Sequence, residues 1–133
     1  MQIDSVDLGF AAGESASEPF ELAVHNINAM QRRGLVPYVA EISLPLDWEA
    51  ADLLYEISFD GVWHLLSDLR GTISAAARAG QTLHSAAEIW RGVCWLRLRS
   101  EPPQRENVVV TLGIGATSSG AQFARPNGLE ITR

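Results

Sequence analysis

Hydrophobic and polar residues alternate along much of this chain. Leu53, Tyr55, Ile57 and Phe59 form the clearest set, with Glu56, Ser58 and Asp60 on the opposite parity. Phe20, Leu22 and Val24 share one parity, as do Tyr38, Ala40, Ile42 and Leu44 ahead of Pro45. Cys94, Leu96 and Leu98 face one way and Trp95, Arg97 and Arg99 the other; Val108, Val110, Leu112 and Ile114 end the series. Successive side chains of a strand point to opposite sides, so this period predicts strands with one apolar and one polar face. Strands of that kind pack as two sheets over a shared dry core.

Turn residues separate the runs. Asp60-Gly61 sits between Phe59 and Trp63, a hairpin signal because Gly tolerates positive φ. Arg70-Gly71, Ala79-Gly80, Pro102-Pro103 and Asn127-Gly128 punctuate the rest. Turns roughly ten residues apart favour a sandwich over a parallel α/β sheet. The pattern therefore predicts an all-β fold, one antiparallel β-sandwich of the jelly-roll kind spanning residues 1–133, with room for one or two short helices.

Three stretches resist a pure strand reading. Residues 19–33 also fit a helix, with Ser17 as cap, Pro19 in the first turn and Arg32-Arg33-Gly34 as the end. A strand over 20–24 followed by a loop or short helix is the preferred reading. Residues 74–79 and 85–90 are Ala-rich and could hold short helical turns. Segments 9–18 and 115–127, small, polar or Gly-Ser-rich, read as mobile loops or assembly arms, or as ordinary surface loops.

Composition narrows the function. Of the 133 residues 47% are hydrophobic, enough for a core and too many for a disordered chain. The formal net charge of -6 argues against a nucleic-acid partner, which requires cations to displace phosphate counterions, and against anionic membranes. No apolar run reaches the length of a membrane span. Met1-Gln2-Ile3-Asp4 has neither a basic segment nor an apolar core, so no secretory signal is expected and the chain is expected to be made in the cytoplasm. All ten basic residues are Arg, which removes lysine chemistry. Cys94, the one cysteine, reads as a buried inert thiol.

Catalytic patterns are missing. His25, His64 and His84 are far apart with no metal-ligand spacing. No G-x-S-x-G elbow occurs, and the run from Gly113 to Gly120 lacks the Lys of a phosphate loop. No enzyme activity, cofactor or metal is expected. Trp95, Arg97 and Arg99 on one outward strand face form a candidate protein-contact face, since Trp and Arg dominate interface hot spots; a stabilising cross-strand ladder is the competing reading. Trp48 and Trp63, in expected loops near Asp47 and Asp60, are candidate glycan contacts, because an indole stacks on a sugar ring.

Two longer motifs carry a resemblance. The first runs Ile42-Ser43-Leu44-Pro45-Leu46-Asp47-Trp48, then Ala51-Asp52-Leu53-Leu54-Tyr55-Glu56-Ile57-Ser58-Phe59-Asp60-Gly61-Val62-Trp63. The second is Trp95-Leu96-Arg97-Leu98-Arg99-Ser100, followed by Val110-Thr111-Leu112. In order and spacing, over roughly residues 40–112, they resemble head-fibre, head-spike or decoration proteins of tailed phages and gene transfer agents. The hairpin and the later Leu-Arg-Leu-Arg strand are also similar to discoidin-like, galactose-binding jelly rolls. Residues 25–37 read as an insertion in that pattern. The resemblance implies a non-enzymatic virion component on the capsid surface. It would form a homo-oligomer, bind capsid or other spike and fibre proteins, and touch host surface polysaccharide. A carbohydrate-binding, lectin-like module is the alternative.

Overall fold

The computed structural model describes residues 2–22, 35–68, 71–85, 90 and 93–118. Its strands are β1 (Gln2–Phe10), β2 (Phe20–Glu21), β3 (Leu35–Ser43), β4 (Ala51–Ser58), β5 (His64–Leu65), β6 (Ser67–Asp68), β7 (Gly71–Thr72), β8 (Ser74–Ala77), β9 (Thr82–His84), β10 (Trp95–Glu101) and β11 (Val108–Ser118). One sheet has the order β1-β11-β3-β9 and the other β2-β10-β4-β5, with β8 also on β4. Every pairing is antiparallel.

Strands β5 and β8 lie end to end along one edge of β4. Leu65 stands opposite Glu56 and Ser74 opposite Leu54, so only Tyr55 separates the two registers. The Leu66 N–H donates to the Tyr55 carbonyl at 2.8 Å, and the Ile73 N–H to the Leu66 carbonyl at 2.9 Å. They are thus halves of one strand, interrupted by the β6–β7 hairpin. Counted so, the strands pair inward from the ends of the chain: β1 with β11, β2 with β10, β3 with β9, and β4 with β5 and β8. That nested pairing, folded into two facing sheets, is a jelly roll.

The alternation supplies the core. Leu53 and Tyr55 of β4, Leu96 and Leu98 of β10, and Val108, Val110, Leu112 and Ile114 of β11 are all buried. Leu8 and Phe10 of β1 join them, with Trp48 and Trp90 as the large aromatic fillers. The Asp60-Gly61 turn joins β4 to β5: Gly61 has φ +93°, and the Asp60 carboxylate accepts the Val62 N–H at 3.0 Å.

The structure corrects several expectations. In β3 the parity breaks. Gly113 pairs with Glu41 but Ile114 with Val39, leaving Ala40 as an extra residue in β3. Such a bulge exchanges the faces, so Val39 enters the core while Tyr38 lies half-buried beside Gly115, where a Cβ would meet its ring at 2.8 Å. Phe59 lies past the end of β4 and is 57% exposed. Residues 74–77 form β8 instead of a helical turn, because the exposed edge of β4 offers the backbone partners. Residues 20–21 are strand and Leu22 lies in a tight turn, so no helix begins at Pro19; residues 23–34 lie outside the described residues. Ser17 is not a helix cap: its hydroxyl accepts the Leu98 N–H at 2.9 Å. Segment 9–18 is tied down rather than standing off as an arm. Ser17 and Ser15 pair with β10, the Gly13 N–H donates to Gln104, and the Ala12 N–H to Asn107. Residues 115–118 belong to β11, and 119–127 lie outside the described residues, as do 86–89.

Candidate interaction surface

Strand β10 occupies an inner position of its sheet, between β2 and β4. Its alternate residues Leu96, Leu98 and Ser100 point into the sandwich, and this sends Trp95, Arg97 and Arg99 to the outer face. Each outward residue meets a defined neighbour: Trp95 opposes Ser58 and Glu21, Arg97 opposes Glu56, and Arg99 opposes Leu54. Trp95 is 39% exposed.

Arg97 is held on two sides. Its Nε–H donates to the Glu56 carboxylate at 2.7 Å, and the Trp63 ring lies 4.4 Å from its guanidinium carbon. The Glu56 side chain is only 10% exposed and that of Arg97 26%. A carboxylate in such a place loses much of its water and needs a charged donor in return. Stacking on an indole adds a cation–π attraction to the fixed plane of the guanidinium. The Nη edge has no hydrogen-bond partner among the described residues and is directed by these two contacts. Arg99 donates from Nε to Glu101 at 2.6 Å, a bond that pushes its guanidinium further above the usual value, aided by the charge of Glu56. Leu65 (44% exposed), opposite Glu56 on β5, adds exposed apolar surface to this face, and Phe59 and Val62 are exposed in the β4–β5 connection.

The site residues expected from sequence divide accordingly. Trp95, Arg97 and Arg99 share one outward face, as their parity requires. Trp63, expected as a glycan contact, is half-buried and spends one ring face on Arg97. Asp60 is exposed at the turn, where its carboxylate caps a backbone N–H. Trp48 is a correction. It is 3% exposed, packs edge-on against Phe10 at 5.4 Å, and donates its Nε1–H to the Ala77 carbonyl at 3.2 Å. An indole with its faces covered cannot stack on a sugar. Glu56 was missed, because its polar parity gave no hint that it would be buried; its place opposite Arg97 was the available signal.

The opposite end of the sandwich is knitted by the β1–β2, β3–β4, β8–β9 and β10–β11 connections. Buried Gln104 donates to the Glu49 carbonyl at 2.8 Å and accepts the Glu49 N–H at 2.7 Å. The Glu49 carboxylate holds Arg105 in turn, and that bond keeps its acidity stronger than usual. Among the described residues no group of three or more His, Cys, Asp or Glu could hold a metal ion, and no helix is long and apolar enough to cross a membrane. Cys94 is half-buried just before β10. The chain matches no protein-family model, no curated protein and no solved structure.

Proposed function

We propose that this protein is a non-enzymatic surface component of a phage-like virion, a capsid spike, fibre or decoration protein. It acts by assembly, and the outer face of β10 and β4 is its contact with capsid or other spike proteins. The observation that carries this reading is the Trp95, Arg97 and Arg99 row, with Arg97 pinned between buried Glu56 and Trp63. Such an arrangement suits protein contact. Trp and Arg give most binding energy per residue, and a guanidinium fixed in advance loses little entropy on docking. The motif order described above, in a jelly roll, supports placement on a particle.

Host polysaccharide is the secondary partner in this reading. With Trp48 in the core and one face of Trp63 covered, the indoles available for a sugar are fewer than the sequence suggests.

The test is particle composition. Particles released by lysis of the host are purified, analysed by mass spectrometry, and labelled with gold-tagged antibody against this chain. The reading expects the chain in stoichiometric amounts on the capsid exterior. Its absence from intact particles, or a catalytic turnover abolished by a point substitution, overturns the reading.

A further inference from the structure

The β4–β5 connection contains the pair Asp60-Gly61, and both residues are exposed. Aspartate followed by glycine is the sequence in which a peptide nitrogen most readily attacks the preceding side-chain carboxyl, because glycine has no Cβ to shield that nitrogen. At Gly61 the surrounding space is open as well: a Cβ added there would meet nothing within 4 Å. The turn nevertheless engages both reacting groups elsewhere. The Gly61 N–H donates to the Ser58 hydroxyl at 2.9 Å, and the Asp60 carboxylate accepts the N–H of Val62, one residue beyond, at 3.0 Å. Ser58 is 2% exposed, at the last position of β4 and opposite Trp95, so its place is set by the sheet and not by the turn.

We propose that Asp60 is a modification site, where aspartate converts to isoaspartate through a succinimide, and that the Ser58 hydroxyl restrains the conversion in the folded chain. This site stands apart from the contact role given above. In the first step the Gly61 nitrogen attacks the protonated Asp60 carboxyl carbon. The N–Cγ bond forms, the nitrogen gives up its proton, and one carboxyl oxygen leaves as water. Water then opens the five-membered ring at either carbonyl. Opening at the former main-chain carbonyl leaves Gly61 joined through Cγ, with a free α-carboxylate. One water leaves and one enters, so nothing is oxidised or reduced. Ring closure requires the Gly61 nitrogen released from Ser58 and the Asp60 carboxylate released from Val62, so both bonds of the turn oppose it. The product has an extra methylene in the main chain. In the unmodified chain the Trp63 ring, two residues beyond Gly61, lies 4.4 Å from the Arg97 guanidinium carbon, and the lengthened turn undoes that placement.

The test holds the full chain for weeks at neutral pH and physiological temperature and reads Asp60 by electron-transfer fragmentation, which distinguishes isoaspartate from aspartate within a peptide. The folded chain is expected to convert at least about tenfold more slowly than the same chain in urea, since ring closure awaits local opening of the turn. Ser58→Ala is expected to speed conversion about three- to tenfold, the weight of one hydrogen bond. Val110→Ala, a core truncation in the other sheet, is expected to leave the rate unchanged, which separates the local bond from general destabilisation; circular dichroism confirms that each variant is folded. A Ser58→Ala rate equal to that of the unaltered chain, or matched by Val110→Ala, overturns the restraint by Ser58, as does a folded chain that converts as fast as the unfolded one. No isoaspartate at Asp60 even in Ser58→Ala overturns the site itself. Hydroxyl-radical footprinting of the isoaspartyl fraction, separated by ion exchange, is expected to label Trp63 more heavily than in the fresh chain; equal labelling overturns the link to Trp63.

Discussion

Two side chains, Glu56 and Tyr55, show how neighbouring positions of one strand serve opposite faces. Glu56 is a buried carboxylate whose return is the fixed position of Arg97. Glu56→Ala leaves that guanidinium half-buried without its anion. Since Arg97 keeps some water, the expected loss is about 1–3 kcal/mol rather than the cost of a fully buried pair. Urea unfolding measures it, and Trp63 fluorescence should change with the loosened stack. Tyr55, one residue earlier, faces inward edge-on to Trp90 at 5.4 Å, and its hydroxyl has no hydrogen-bond partner among the described residues. Burial pushes its phenol above the usual 10.0. The folded phenol therefore keeps its proton to higher pH than the unfolded one. Its contribution to stability is complete below pH 10.0 and declines as pH climbs through the folded value. Tyr55→Phe removes a hydroxyl that has no hydrogen-bond partner among the described residues, so its stability at neutral pH is expected to be equal or up to about 1 kcal/mol higher. The alkaline decline should also flatten. A loss of about 2 kcal/mol or more at neutral pH contradicts this account of the hydroxyl.

At the level of elements, the β6–β7 hairpin is an insertion into a strand that is otherwise continuous. Leu66 follows β5 opposite Tyr55, and Ser74 opens β8 opposite Leu54. Deleting residues 67–73 joins Leu66 to Ser74 in register. The shortened protein is expected to fold, losing about 1–2 kcal/mol from the half-buried Ile73 side chain. Thermal unfolding checks it, and a chain that no longer folds contradicts the register. The insertion also shows what the sequence could display. Long alternating runs around Leu53, Leu96 and Val110 were readable because a half-buried strand needs one apolar face for several residues. β5, β6, β7 and β9 are too short for any period to appear, and the three alanines of β8 show no contrast between an apolar and a polar face. β1 is hard to read although Val6, Leu8 and Phe10 alternate, since Asp4, Ser5 and Asp7 give its first half the character of a polar terminus. The β3 bulge left no trace in the pattern, because a single extra residue is visible only against the partner strand. The outward face was legible for the same reason as the core, being its complement on β10. Burial of Trp48 was not, since a Trp in a connection reads alike whether it closes the end of the sandwich or stands in water.

On the scale of the molecule, the jelly roll offers two sheet faces and two ends as places to work. One end is consumed by its own bonding: Gln104, Glu49 and Trp48 satisfy one another and the adjoining backbone. The outer face of β10 and β4 differs, with an exposed Trp, guanidinium edges without partners among the described residues, and apolar side chains facing solvent. The proposed function requires docking on particles through this face. Hydrogen–deuterium exchange of the chain, free and bound to purified particles, tests that requirement. Protection on binding is predicted in peptides spanning 52–65 and 95–101. Protection confined to 44–50, 78–81 and 102–107, with the β10 and β4 peptides unchanged, would contradict it.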